Sequence, residues 1–218
     1  GGGDGHLDIG FTVQEEDVIV LPNCVDTELV HPSASKNFRE TLGVSDEDFL
    51  IVFVGAFIHR KGSDRLSKAI ESLHDSHIKV VFIGNALESN AVPSCDGIVF
   101  QGPIDHDLIP EYLQAADVFV LPTLKEGCSN AIVEALASGL PVISANRPFN
   151  NDILNENNSI KVDPENVEEI ANAISKMKSD KAFYERLRQY TLDHASDWSI
   201  TERAKKIYEF IEGNIDNN

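Results

Sequence analysis

The chain has 218 residues, 42% of them hydrophobic, enough for one well-filled core and too few for two full domains. Its 36 acidic residues outweigh 18 Lys and Arg and give a formal net charge of -18, which excludes nucleic acid or an anionic membrane surface as the main partner. Cys24, Cys95 and Cys128 are odd in number and lack metal-ligand spacing, which points to thiols in a reducing, cytoplasmic setting.

The start, "GGGDGHLD", reads as a loop, with no signal-peptide core, and no later apolar run approaches the roughly 20 residues a membrane-spanning helix needs. Short β-branched runs then recur at 17–22, 49–57, 78–85, 97–102, 117–122, 140–145 and 158–163. They are mostly continuous apolar runs with little in-out alternation, as strands covered on both faces of a parallel sheet require. Amphipathic stretches separate them. The clearest carries Leu66, Ala69, Ile70 and Leu73 on one face, and others run over about 105–116, 130–138 and 165–178. After about 180 the strands stop, and 200–214 reads as a last helix bearing Ile207, Phe210 and Ile211. The alternation predicts an α/β fold with a Rossmann-like, doubly wound parallel sheet. In such a sheet ligands bind beyond the carboxyl ends of the strands.

Two segments satisfy that condition. "VGAFIHRKGSD" sets His59, Arg60 and Lys61 after a strand, followed by Gly62 and a candidate N-cap, Ser63. Adjacent cations, a glycine turn and a helix N-terminus form a phosphate site, although a solvated basic turn has the same composition. "KEGCSNAIVEALASG" follows the strand at 117–122. There Gly127 allows close backbone approach, and Ser129 or Asn130 can cap a helix whose first N–H groups face the crevice. Glu126 and Glu134 stand eight positions apart in this stretch, and Glu134 lies among Ala131, Ile132, Val133, Ala135, Leu136 and Ala137. A carboxylate in such a helix needs a partner: either the hydroxyls of a sugar, or an Arg or backbone N–H groups in the core.

Other motifs carry less. Neither a Walker loop nor a G-x-G-x-x-G fingerprint is present, and no G-x-S-x-G elbow supports a serine hydrolase. The "DED" triplet at 46–48 precedes a strand, at the wrong edge. In "DHD", Asp105 reads as a helix N-cap and Asp107 as a first-turn acid. No metal site is expected. His74 and His77 read as surface residues at a helix end.

"EGCSNAIVEALASGLPVISA" resembles the E-x7-E signature of family 4 glycosyltransferases of the GT-B type, and three further stretches agree with that family in order and spacing. They are "VLPNCVDTELVHP" (20–32), "FVGAFIHRKGSDRL", and "FQGPIDHDLIPEYLQAADVFVLPT"; together the matches run from about 18 to 180. The resemblance implies one half of a GT-B architecture, the C-terminal half that binds a nucleotide-sugar donor. Residues 1–26 would lead in from an N-terminal acceptor-binding domain, 27–197 would form the donor domain and 198–218 a C-terminal helix.

It also implies roles. Lys61 would contact the donor diphosphate, and the N–H groups around Gly127, Cys128, Ser129 and Asn130 would cradle phosphate or sugar. Glu134 would bind the ribose hydroxyls, Glu126 would hold the transferred sugar near the reacting carbon, and the backbone from Gly102 to Ile104 would meet the base. The arginine that commonly follows the strand glycine is Ala56 here, with Arg60 the available substitute, and Cys24 replaces the usual glycine of the PNGVD segment. The implied function is retaining transfer of a hexosyl-type unit from a UDP- or GDP-sugar to an acceptor sugar or glycolipid held by the missing domain, in polysaccharide or glycoconjugate synthesis. No cofactor or obligatory metal is implied. The location would be cytoplasmic, with the inner membrane face reached through the missing domain. A GT-B sugar-nucleotide epimerase and a non-catalytic nucleotide-sugar-binding module share these features.

Overall fold

Hydrophobic runs with no polar alternation have one stable home, the interior of a sheet covered on both sides. The structure, a computed structural model, describes residue 19, residues 21–32 and residues 36–215. Six parallel strands lie in the order β3-β2-β1-β4-β5-β6. They are β1 (Phe49–Val54), β2 (Ile78–Ile83), β3 (Ile98–Gly102), β4 (Val118–Leu121), β5 (Val142–Ala145) and β6 (Ser159–Val162). Leu50 to Phe53, Val118 to Leu121 and Val142 to Ile143 are wholly buried. Half of the predicted strand at 17–22 lies outside the described residues, and Ile19, Leu21 and Pro22 have irregular backbone. "GGGDGHLD" also lies outside them.

The helices are α1 (Lys36–Thr41), α2 (Ser63–Leu73), α3 (Ile109–Ala115), α4 (Asn130–Ala137), α5 (Val167–Ser179), α6 (Lys181–Asp193) and α7 (Ile200–Ile215). One layer joins α2 to α5; the other joins α3 to α4 and α1. Several predicted caps differ. Ser63 is the first residue of α2, with Gly62 as its N-cap, and the Ser63 hydroxyl donates to the Ala91 carbonyl at 2.6 Å. Asp105 precedes a 3-10 turn at His106–Leu108 without a side-chain cap bond. The segment expected as one helix from about 105 thus splits into that turn and α3, which has Pro110 in its first turn. The α5 cap is Asn166, whose side chain accepts from the N–H groups of Glu168 and Glu169.

The strand order reverses between β1 and β4. These two strands pair directly, Ile51 with Val118 and Val52 with Phe119, although their chains run on in opposite directions across the sheet. No helix of the described residues is long and apolar enough to cross a membrane.

Candidate functional site

A reversal of strand order leaves a crevice beyond the carboxyl ends of the two central strands, because the loops that follow them part to either side. The loop after β1 carries Arg60 and Lys61; the loop after β4 carries Glu126 and runs into α4. Phe57, 2% exposed, anchors the first loop, with its ring centroid 6.3 Å from those of Phe53 and Phe82. The Leu124 N–H donates to the Arg60 carbonyl at 2.8 Å and the Arg60 guanidinium to the Lys125 carbonyl at 2.7 Å, joining the two loops.

Arg65 ties these loops to a third. Its buried guanidinium donates to the carbonyls of His59 at 2.8 Å, Pro122 at 3.0 Å and Pro164 at 2.6 Å, after β1, β4 and β6 respectively. Three carbonyl acceptors offset the cost of burying a cation, whose desolvation lowers its pKa. The contact is tight at Gly62, which has φ 84°: an added Cβ would lie 2.5 Å from the Pro122 oxygen and 2.8 Å from Arg65 Nη2.

Lys61 and Glu126, predicted at the same edge, are in contact. Lys61 Nζ donates to Glu126 Oε1, and the two side chains are 18% and 11% exposed. Arg60 Nη1 stands 3.8 Å from the same oxygen, and the Thr123 hydroxyl donates to it at 3.3 Å. All of these contacts fall on Oε1. One ammonium bond uses one of three donors on Lys61. Arg60, half-exposed, is a second cation facing the carboxylate that Lys61 contacts.

The helix after this loop starts at the crevice. Ser129 is the N-cap of α4, but neither it nor Asn130 caps the helix by side chain, so its first-turn N–H groups keep their capacity for an acceptor. Asn130 Oδ1 instead accepts from Asn23 Nδ2 at 2.6 Å, and the same amide donates to the Cys128 carbonyl at 3.4 Å. The segment containing Cys24 is thereby laid against the start of α4, and Val25 pairs with Ser199 beyond α6. Gly127 is exposed, and an added Cβ there would meet nothing within 4 Å. Packing does not demand a glycine at this position.

Glu134 is 7% exposed, as its apolar helix predicts, and burial raises its pKa. Its partner is neither an arginine nor a backbone N–H group. His106 Nε2 lies 3.0 Å from Glu134 Oε1, as an ion pair when the imidazole is protonated and a hydrogen bond otherwise, and it opposes the effect of burial. The two line a cavity of about 430 Å³ with Asn23, Asp26, Asn130 and Arg203. Gly102 ends β3 on the same edge, and Ile104 packs partly buried against the core just before the His106 turn. His106 belongs to no motif of its own in the sequence; its place just beyond a strand's carboxyl end is the one signal the sequence offers for it. Among the described residues no group of three His, Cys, Asp or Glu side chains could hold a metal ion.

Residues 34–194 match the family described as Glycosyl transferases group 1. The chain belongs to this family. TuaC of Bacillus subtilis (strain 168), named for a glycosyltransferase role in teichuronic acid biosynthesis, is 30% identical over 181 residues, covering 83% of this chain and 42% of TuaC. The chain thus spans less than half the length of that glycosyltransferase. The crystal structure of Anabaena HepE in complex with UDP and glucose shares the fold, with a TM-score of 0.73 at 21% identity over 87% of this chain and 55% of HepE. The C-terminal domain of a group 1 glycosyltransferase, LpcC from Francisella tularensis, is covered over 99% of its length by 81% of this chain, with a TM-score of 0.68 at 22% identity. The fold is therefore that of the C-terminal domain of a group 1 glycosyltransferase, of the GT-B type.

Proposed function

We propose that this chain is the nucleotide-sugar-binding half of a retaining glycosyltransferase that moves a hexosyl-type unit from a UDP- or GDP-sugar to an acceptor sugar or glycolipid. The observation that carries the reading is the convergence at the strand-order reversal of Lys61, Arg60 and the uncapped start of α4 with two carboxylates, Glu126 and Glu134. Cations and helix N–H groups suit a diphosphate. Each carboxylate is held by the protein through Oε1, which keeps Oε2 for hydroxyls of a sugar or a ribose.

When the bond between the anomeric carbon and the diphosphate breaks, its electron pair leaves on the diphosphate oxygen. Lys61, Arg60 and the first turn of α4 meet that charge without an obligatory metal. Glu126 orients the sugar beside them, and Gly102 to Ile104 border the base. A separate facing domain would bind the acceptor. Retention follows from the family resemblance alone, and the cytoplasmic reading is in keeping with three free thiols.

Calorimetric titration of the chain with UDP, GDP and their sugars tests the site. Lys61→Ala and Glu134→Ala should each weaken binding by roughly tenfold or more, as expected for loss of a charge-assisted hydrogen bond. Unchanged affinity in both variants sinks the assignment.

A further inference from the structure

We propose that His106 is a positioning residue that sets Glu134 for a vicinal diol and so determines how strongly the site prefers a ribonucleotide to its 2′-deoxy counterpart. This rests on the reading of Glu134 as the ribose acceptor. The immediate neighbours of the carboxylate on its own helix are apolar: Ile132, Val133 and Ala135 are wholly buried and Leu136 nearly so. The side chain that reaches it comes from another element. His106 Nε2 lies 3.0 Å from Glu134 Oε1 while the imidazole itself is 73% exposed.

The pair therefore differs from a buried ion pair. One member is buried and the other reaches solvent, and both line the same cavity. The backbone of His106 is fixed: the Leu108 N–H donates to the Asp105 carbonyl at 3.0 Å, and Ile109, 7% exposed, roots the turn in the core. A hydrogen bond to one oxygen from a side chain carried on this anchored turn restricts rotation of the carboxylate about its terminal torsion, which is otherwise broad. Oε2 then presents a defined direction, and two neighbouring hydroxyls can be accepted together. Without the imidazole the carboxylate turns freely, and the second hydroxyl contributes less.

The test compares UDP with 2′-deoxy-UDP, and GDP with 2′-deoxy-GDP, by calorimetry on the native chain, His106→Ala and His106→Gln, with inorganic pyrophosphate as a control for the Lys61 end. The native chain should prefer the ribonucleotide by about tenfold, the scale of one hydrogen bond to a charged acceptor. His106→Ala should bring that ratio to within about threefold while pyrophosphate affinity stays unchanged. His106→Gln, whose amide restores a donor, should recover most of the preference. An undiminished ratio in His106→Ala overturns the inference alone. A native chain that binds nucleotide with no ribose preference, or binds no nucleotide, overturns the Glu134 reading with it.

Discussion

At Glu134 two opposed effects act on one carboxylate. Burial raises its pKa, and the neighbouring imidazole of His106 pulls it back. A raised folded-state value means that the folded chain holds this proton more tightly than the unfolded chain. Ionised Glu134 therefore costs stability in full above its folded pKa; the cost lessens as the pH falls below that value and is gone only below the pKa of the unfolded chain. Diol recognition has the opposite dependence, since a protonated carboxyl accepts poorly. UDP affinity of the native chain should fall on acidification from a pH above the ordinary glutamate range. Glu134→Gln should be roughly tenfold weaker at pH 7 and lack that inflection. His106, Arg203 and Asp26 line the same cavity and remain in the variant, so parallel profiles for the two proteins would assign the titration to them. The anomalous burial of Glu134 was legible from its apolar neighbours. Its partner was not, because His106 precedes it by 28 residues and only the packing of the β3 turn beside α4 brings them together.

Among the elements, the strands were the most legible feature, for a physical reason. A run such as "FLIVFV" or "VFVL" has no polar face and can only be central. Their C-terminal limits were overestimated where apolar sequence continues past the ladder: Phe57 is buried but belongs to the loop after β1. Helix α6 is not legible in the sequence because its core-facing stripe is thin. Among its residues Leu187 and Thr191 are buried, while Lys181 and Glu185 lie outside. The contact between Lys61 and Glu126 could not be read from the chain, since it depends on β1 and β4 being neighbours. Gly62 shows how closely those elements meet. Gly62→Ala would place a Cβ 2.5 Å from the Pro122 oxygen at a φ of 84°, costing about 2 kcal/mol or more. Denaturant unfolding should show that loss, with weakened UDP binding as the two loops separate; a variant as stable as the native chain would show that the turn can yield.

At the scale of the molecule, a chain of net charge -18 binds an anion only by gathering cations locally, which Arg60 and Lys61 do at the crevice. The acceptor side is a separate matter. The chain spans 42% of the length of TuaC, and on the proposed reading the donor half holds the leaving group while another domain holds the acceptor. The isolated chain should bind UDP or GDP yet transfer no sugar; transfer at a rate comparable with a complete enzyme would show that the acceptor site lies within these residues.

The meeting of β1 and β4 has a mechanical consequence. Residues 49–102 build one half of the sheet and residues 118–162 the other, and the two central strands are the seam between them. A diphosphate held by Lys61 on one side and by the first turn of α4 on the other would act as a rivet across that seam. Ligand-linked stabilisation would then be concentrated at the middle of the sheet, and the outer strands β3 and β6 could fray while the centre stayed closed.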